Sequence, residues 1–159
     1  MKLTVHVERD NMKELSMDAE KVMLFCEAFT GVTCYFPFGP QPKCYRVGLK
    51  IFAEVYPHGV PGALRILLND ESVGREKLAP MVTLRCEPSH GDFFRTLFPG
   101  VVLRPYHCPA AQQPYANTVI LDGSVPNDIL KDMIEHAYIV ILHKLPKREQ
   151  AEIGSPHRR

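Results

Sequence analysis

Residues 118–145 read TVILDGSVPNDILKDMIEHAYIVILHKL, and they define the clearest local structure in the chain. The β-branched and apolar run from Thr118 to Leu121 predicts a strand, and Asp122-Gly123 predicts the turn that ends it. Pro126 suits the first turn of a helix, and Pro146 stops that helix. Between the two prolines, apolar residues recur at helical spacing: Leu130, Ile134, Ala137, Ile141 and Leu145. The stretch therefore predicts a strand, a turn and a long helix with one buried face.

Earlier segments predict a mixture of helices and strands. Ser16 is a capping residue, and the helical spacing of apolar residues after it indicates a helix that stops at Gly31. We expect a strand over Thr33–Phe38, which is rich in aromatic residues. A long strand is expected over Cys44–Tyr56, with a bend at Gly48 that divides it.

The region from residue 57 to the last strand predicts shorter elements. Residues 57–80 leave the sheet and include one short strand or a turn of helix near Leu64–Leu68. Met81–Cys86 resumes the strand pattern, and Pro88 begins a short helix with an apolar face that ends before Pro99. Val101–His107 predicts a further strand, and a loop rich in proline and glutamine joins it to residue 118.

Composition is typical of one globular domain. The chain has 159 residues, of which 45% are hydrophobic and 23% charged, and its net charge of +1 gives no overall field that attracts nucleic acid. The longest uninterrupted apolar run, Ala137–Leu142, is far shorter than the roughly 20 residues that span a bilayer. The N-terminus lacks the apolar core of a signal peptide, so we expect residence in the cytoplasm and no membrane partner.

No familiar catalytic or cofactor motif is present in the sequence: phosphate-binding loops, dinucleotide turns, nucleophile elbows and zinc-protease pairs are all absent. His136 and His143 are seven residues apart, whereas metal-binding helices use ligands three or four residues apart. Cys108 follows His107, but adjacent residues on a strand point to opposite faces. The five cysteines contain no CxxC pair and are interpreted as reduced thiols. We therefore predict no enzyme activity, no metal and no cofactor.

Basic and aromatic residues are the more suggestive feature. They fall on the predicted long strand and on two others, at Arg46, Lys50, Arg85, Arg104, Tyr106 and His107. If neighbouring strands bring some of them onto one face, they are placed to contact a phosphate backbone with aromatic support. The alternative is that these long side chains only lie along a solvated face of the sheet.

Five ordered blocks of sequence resemble the MmcQ/YjbR family. The first, FPFGPQPKCYRVGLKIFA at 36–53, looks like the first hairpin of that family. The others are LRCEP at 84–88, FPGVV at 98–102, PYH at 105–107 and NTVILDGSVP at 117–126. HAY at 136–138 and KLP at 144–146 resemble the end of the family's domain. The resemblance extends over about residues 19–147.

The resemblance implies an α+β fold, a single domain with the order α-β(3)-α-β(2)-α in which helices pack on a mainly antiparallel sheet, as in secretion-chaperone-like folds. Residues 16–147 then form the MmcQ/YjbR-like domain. Residues 1–15 are an N-terminal extension, where the alternation in Leu3–Val7 predicts an extra edge strand. Residues 148–159 are predicted to be a basic C-terminal tail.

The family is also described as having a double-wing arrangement like that of DNA-binding proteins, with no settled biochemical activity. Lys50, Tyr106, His107 and Asn117 match family positions. The chain departs from the family in two places. The loop at 106–116 is longer and lacks the family's basic residues, and the segment at 57–80 is longer and forms a larger wing or covers a sheet edge.

Three functions remain open. The first is a small DNA-binding or regulatory protein that contacts the phosphates of double-stranded DNA; its proposed nucleic-acid-binding residues are Arg46, Lys50, Arg85, Arg104, Tyr106, His107 and Asn117. The second is a protein- or peptide-binding, chaperone-like module that uses the sheet or Leu64–Leu68. The third is a binder of a small ligand around Tyr106, His107 and Asn117, without known catalysis.

Overall fold

The structure is a computed structural model, and it describes residues 17–154. Within that range the chain forms five α-helices, six strands and one 3₁₀ helix. In chain order these are α1 Ala19–Glu27, β1 Val32–Tyr35, β2 Lys43–Val47, β3 Lys50–Tyr56, α2 Ala63–Leu67, β4 Met81–Arg85, α3 Pro88–Leu97, β5 Val102–Leu103, the 3₁₀ helix Ala110–Tyr115, β6 Ala116–Ile120, α4 Asn127–Leu142 and α5 Lys147–Ile153.

The six strands of the described range form one antiparallel sheet in the order β1-β2-β3-β4-β6-β5. The predicted α+β class with an antiparallel sheet is therefore confirmed. The observed order is α-β(3)-α-β-α-β(2)-α-α, so α2 and β4 stand between the first three strands and α3. The predicted edge strand Leu3–Val7 lies outside the described residues.

Helices α1 and α4 pack on one side of the sheet, which we call the covered face. Its centre is a cluster of three aromatic rings, each at most 1% exposed. The rings of Phe29 and Tyr138 stack with centroids 4.6 Å apart, and Phe52 meets both of them edge-on. The apolar stripe predicted from Leu130 to Leu145 is buried, which confirms the interpretation of this stretch as a strand followed by a packed helix.

The predicted division of Cys44–Tyr56 at Gly48 is confirmed, but the two parts form an antiparallel hairpin rather than one bent strand. β2 ends at Val47, β3 begins at Lys50, and only Gly48 and Leu49 connect them. Gly48 has a φ of +60°, the backbone conformation that two-residue hairpin turns require. Arg46 and Lys50 consequently lie on different strands.

A β-bulge in β3 accommodates one extra residue. Tyr45 lies opposite Ala53 and Arg46 lies opposite Ile51, so Phe52 has no partner on β2. Phe52 and Ala53 both belong to the buried core. The next residue, Glu54, consequently points to the other side of the sheet.

Two helix boundaries differ from the sequence prediction. α1 is capped by Asp18, whose carboxylate accepts a hydrogen bond from the Lys21 backbone N–H at 2.9 Å, and the predicted capping residue Ser16 lies outside the described residues. α1 ends at Glu27 rather than at Gly31. At the other end of the chain, helix α5 covers Lys147–Ile153, so it begins at the last residue of the predicted domain and continues into the predicted tail at 148–159.

The strand predicted over Val101–His107 is wrong in length, because only Val102–Leu103 pairs with β6. Pro105 has no N–H to donate to a sheet ladder. His107 has a φ of +51°, which places it in a turn rather than in an extended strand. Tyr106 and His107 therefore lie on a loop beside the sheet, and the alternation expected for His107 and Cys108 does not apply.

The side of the sheet opposite α1 and α4 is the open face. Cys44, Glu54, Thr83 and Thr118 lie opposite one another across four neighbouring strands, and residues paired in this way share a face. Arg85 lies two residues beyond Thr83 and so shares this face. These polar residues contrast with the aromatic cluster on the covered face.

Residues 57–80 fold over one end of the open face. Of the two alternatives for Leu64–Leu68, the turn of helix is confirmed as α2. Ala63 of α2 packs with Tyr56, Met81 and Tyr106 in a small second core. Gly59 fits closely here, since a Cβ at this position would lie 2.7 Å from the Ala79 backbone nitrogen.

Candidate nucleic-acid interface

A cavity of about 380 Å³ lies where the hairpin turn, the end of β4 and the end of α4 meet. We call it the basic cleft, because three cations line it: Lys50, Arg85 and Lys144. The remaining lining residues are Leu49, Ile51, Gln112, Tyr115 and Ile141. None of these eight lining residues carries a carboxylate, although Glu54 lies beside Arg85 just outside the lining.

The cations of the basic cleft differ in solvent exposure and in the groups that they contact. Lys50 and Lys144 are exposed, and the Lys144 Nζ lies 5.7 Å from the centre of the Tyr115 ring. The Arg85 side chain is 23% exposed, and its Nη2 lies 3.5 Å from Glu54 Oε1. Tyr115 is 46% exposed. The cleft therefore combines two solvated lysines, one held guanidinium and one accessible aromatic ring.

A second cavity, of about 520 Å³, lies on the open face beside the loop that carries Tyr106. We call it the aromatic cavity; its lining residues are Phe38, Gln41, Pro42, Glu54, Tyr56, Val60, Tyr106 and His107. The Tyr56 and Tyr106 rings meet edge to face with centroids 5.8 Å apart. Both tyrosines are less than 10% exposed, whereas Phe38 at the rim is 81% exposed.

Hydrogen bonds hold the walls of the aromatic cavity. The Tyr106 backbone N–H donates to Thr118 Oγ1 at 2.9 Å, and that hydroxyl lies 2.7 Å from Thr83 Oγ1. Gln41 Nε2 donates to the Gly59 carbonyl at 2.5 Å, and Gln41 Oε1 accepts from the His58 N–H at 3.1 Å. The Gln41 side chain thus connects the loop before β2 to the turn after β3. These hydrogen bonds hold the backbone on both sides of the cavity in place.

Glu54 is the acidic group of the aromatic cavity. Burial raises the pKa of its carboxyl, and the neighbouring Arg85 guanidinium lowers that pKa in part. Burial, followed by the charge of Glu54, raises the pKa of the Tyr56 hydroxyl. Cys44, the strand partner of Glu54, is also buried, and burial raises the pKa of its thiol to about 12. Cys44 is therefore a protonated packing residue at neutral pH rather than a nucleophile.

The structure brings some of the predicted site residues together in pairs. Lys50 and Arg85 share the basic cleft, and Tyr106 and His107 share the aromatic cavity. Arg46 lies on β2 near the edge of the sheet, with its guanidinium 4.4 Å from the centre of the Tyr35 ring. Arg46 shares the open face with Cys44, whereas Lys50 lies opposite the core residue Val47 and so faces the covered side at the end of the sheet.

Two further predicted residues lie apart from the cavities. Arg104 is exposed and lines neither of them. Asn117 is 2% exposed and bonded within the protein: its Nδ2 donates to the Gly91 carbonyl at 3.2 Å, and its Oδ1 accepts from Arg95 Nη1 at 2.5 Å. Asn117 therefore connects β6 to α3, and its side chain has no free polar atom for a ligand.

Sequence reasoning missed Glu54, Tyr56, Tyr115 and Lys144 as site residues. Tyr115 lies in the loop that the resemblance had marked as altered, and this loop supplies an aromatic ring to the cleft instead of basic residues. Lys144 follows the end of α4, and in the sequence it had been named only as part of the KLP segment at 144–146. Glu54 sits among apolar residues of β3, and only the register with β4 places it beside Arg85.

Histidines of α3 and α4 form a separate contact. The rings of His90 and His136 stack with centroids 3.7 Å apart, and His136 Nε2 accepts a hydrogen bond from the Glu87 backbone N–H at 3.2 Å. Among residues 17–154 there is no group of three or more His, Cys, Asp or Glu side chains that could hold a metal ion. In the same range no helix is long and apolar enough to cross a membrane.

A family model matches residues 27–139, which is more than two thirds of the chain, and its description is YjbR. The chain belongs to the YjbR family. This match confirms the resemblance seen in the sequence blocks, and both cavities draw most of their lining from the matched region of this YjbR-family chain. No match is found among curated proteins.

Two solved structures resemble this YjbR-family fold. One is a Deinococcus radiodurans protein described as a DUF419 domain, with 20% sequence identity and a TM-score of 0.68, over 89% of this chain and 91% of that protein. The other is a Pseudomonas syringae protein with 17% identity and a TM-score of 0.54, over 69% of this chain and 86% of that protein. At these identities the likeness concerns the fold alone.

Proposed function

We propose that the protein binds nucleic acid through phosphate contacts in the basic cleft, with double-stranded DNA as the first partner to test. The observation that carries this proposal is the convergence of Lys50, Arg85 and Lys144 around one cavity that no carboxylate lines. Lysine and arginine supply most of the free energy of sequence-independent nucleic-acid binding by displacing counterions from phosphates. Because the overall charge is only +1, attraction to nucleic acid has to come from a local cluster of cations such as this one.

The three cations suit different parts of phosphate binding. Lys50 and Lys144 are flexible point charges in solvent, whereas Arg85 is held by the Glu54 carboxylate and presents its guanidinium in a fixed place. Tyr115 beside Lys144 offers an aromatic surface for a sugar or an unpaired base. We therefore assign affinity to the lysines and orientation to Arg85 and Tyr115.

Fluorescence anisotropy with a labelled duplex tests the proposal. Three neutralised phosphates give a slope of about −2.7 in log affinity against log salt, which is a loss of roughly 40-fold between 50 and 200 mM salt. Lys144→Ala is expected to reduce the magnitude of that slope by about 0.9, because one contact is lost. Lys21→Ala removes the same charge from an exposed position on α1, and we expect it to leave the slope unchanged.

Two results would overturn the proposal. The first is no binding of any duplex or single-stranded oligonucleotide at 50 mM salt. The second is equal slopes for Lys144→Ala and Lys21→Ala, since binding would then lie outside the cleft. Association that does not respond to salt, seen as a larger species in light scattering, would favour protein binding instead.

A further inference from the structure

We infer that the aromatic cavity receives a single guanine base of an unpaired nucleic-acid strand while the phosphate of that nucleotide lies in the basic cleft. This inference rests on the proposed function and adds a base-reading site to it. Its ligand class is a strand with at least one extruded or unpaired guanine.

One ion pair lies between the two cavities, with one partner in the lining of each. Arg85 lines the basic cleft, Glu54 lines the aromatic cavity, and Arg85 Nη2 lies 3.5 Å from Glu54 Oε1. A nucleotide carries its phosphate and its base on one sugar, so neighbouring sites for an anion and for a flat aromatic group match its two ends. The sugar would then lie across the ion pair.

The aromatic cavity has the size and lining of a base-binding site. Its volume of about 520 Å³ falls within the range of small-ligand pockets, and backbone hydrogen bonds fix its walls. Phe38 is 81% exposed and offers its ring face for stacking, while Tyr56 and Tyr106 close the floor. Stacking on aromatic side chains is the usual way in which proteins hold unpaired bases.

Glu54 selects the base. Its side chain is 20% exposed, and the ion pair with Arg85 uses only one lone pair of Oε1, so both carboxylate oxygens can still accept hydrogen bonds from a ligand. Guanine carries two adjacent N–H donors on its Watson–Crick edge, which match the two oxygens of a carboxylate. Adenine, cytosine and thymine lack two adjacent donors on that edge, because the group next to each N–H donor is an acceptor that would face the second carboxylate oxygen. The positive charge of Arg85 reduces the repulsion between the Glu54 carboxylate and the phosphate of the ligand.

The test is anisotropy with oligothymidine strands that differ only in one central base. We expect guanine to raise the affinity about 10-fold over thymine, and inosine, which lacks the second donor, to lose most of that gain. Glu54→Gln is expected to reduce the guanine-to-thymine ratio to below about 3-fold without flattening the salt dependence. Glu135→Gln, the same change on an exposed position of α4, is the matched control.

A second variant allows the test to be made even if the Glu54→Gln protein does not fold. Phe38 is exposed, so Phe38→Ser leaves the core intact and is expected to lower the guanine preference by roughly fivefold through lost stacking. Salt-sensitive binding with equal affinity for all four central bases would overturn this inference and leave the proposed function standing. Failure of every strand to bind at low salt would overturn both. A guanine preference that Glu54→Gln and Phe38→Ser leave intact would also overturn the inference.

Discussion

The covered face and the open face of one sheet use the same strands for different purposes. The covered face packs Phe29, Phe52 and Tyr138 into a dry cluster with centroid separations of 4.6–6.3 Å. The open face carries the Glu54–Arg85 ion pair between two cavities. Since adjacent residues of a strand point to opposite sides, stability and binding are encoded in alternate positions.

This difference means that substitutions on the two faces should separate stability from binding. Truncation on the covered face removes packed apolar surface and is expected to lower the free energy of unfolding. Truncation on the open face is expected to change ligand affinity with little effect on unfolding. The following four predictions concern the stability side of this comparison, from the largest expected effect to the smallest.

Tyr138→Ala is expected to lower the free energy of unfolding by about 3–5 kcal/mol, because it leaves a cavity between α4 and the sheet. The substitution also removes the hydrogen bond that the Tyr138 hydroxyl donates to the Thr30 carbonyl at 2.6 Å. Urea denaturation measures the change. Tyr115→Ala makes the same truncation at a 46% exposed ring and should change stability by less than about 1 kcal/mol. Equal losses in the two variants would break the comparison.

Gly59→Ala tests how firmly residues 57–80 are held over the open face. Its φ of +69° and the nearby Ala79 backbone make an added Cβ both strained and crowded, so we expect a loss of about 3 kcal/mol. Gly100 has a φ of +78° but no atom within 4 Å of such a Cβ. Gly100→Ala should therefore cost only about 1 kcal/mol. Thermal unfolding of both variants gives the difference, and a Gly59→Ala protein as stable as Gly100→Ala would show that this segment yields easily.

The His90–His136 stack predicts a pH dependence of stability at the contact between α3 and α4. Burial lowers the pKa of both histidines, and Glu87 partly opposes this. Below the ordinary histidine pKa of about 6.5 the unfolded chain binds more protons than the folded one, so stability is full above that pH and falls as pH drops. We expect a loss of about 1 kcal/mol between pH 7 and pH 5 that His136→Gln reduces. His58→Gln, at an exposed histidine, should leave the pH profile unchanged.

Arg46→Ala gives the smallest expected effect. The Arg46 guanidinium stacks on Tyr35 at 4.4 Å and its Nε donates to Thr33 Oγ1 at 3.2 Å, both near the solvated edge of the open face. The cation–π contact stabilises an exposed site by about 0.5–1 kcal/mol, and urea denaturation should show a loss of that size or less. A loss comparable to that of Tyr138→Ala would mean that this edge of the sheet belongs to the core.

The sequence predicted the parts of the fold that local patterns encode. The apolar stripe from Leu130 to Leu145 and the strand at Met81–Cys86 needed only periodicity and terminal prolines. The residue pattern indicated a break at Gly48 but no reversal of the chain there, because the turn lacks the Asn-Gly or Asp-Gly pair that usually marks a hairpin. Only the family resemblance indicated a hairpin over residues 36–53. Strand-like residues on both sides then gave the pattern of one long strand.

The candidate site depended on distant residues and was predicted only in part. Lys50 and Arg85 had been selected for their charge, and the structure places both in the basic cleft. Lys144 and Tyr115 join them from a helix end and a 3₁₀ helix, which no local pattern connects to β3 or β4. The pairing of Glu54 with Arg85 depends on the register between two strands whose connection runs through residues 57–80. Sequence spacing alone does not fix such a register.

The bulge at Phe52 has a consequence for how the protein tolerates insertions and deletions. Residues of β3 before the bulge are one position out of phase with those after it, and Phe52 absorbs the difference. Deleting Phe52 would bring Ile51 next to Ala53, and the two already lie opposite Arg46 and Tyr45, which are neighbours on β2. The deletion would therefore restore a regular ladder in which the remaining residues of β3 keep their faces, and its cost would be the loss of the Phe52 ring from the core. Phe52 is thus a position at which β3 can lose one residue without exchanging its two faces.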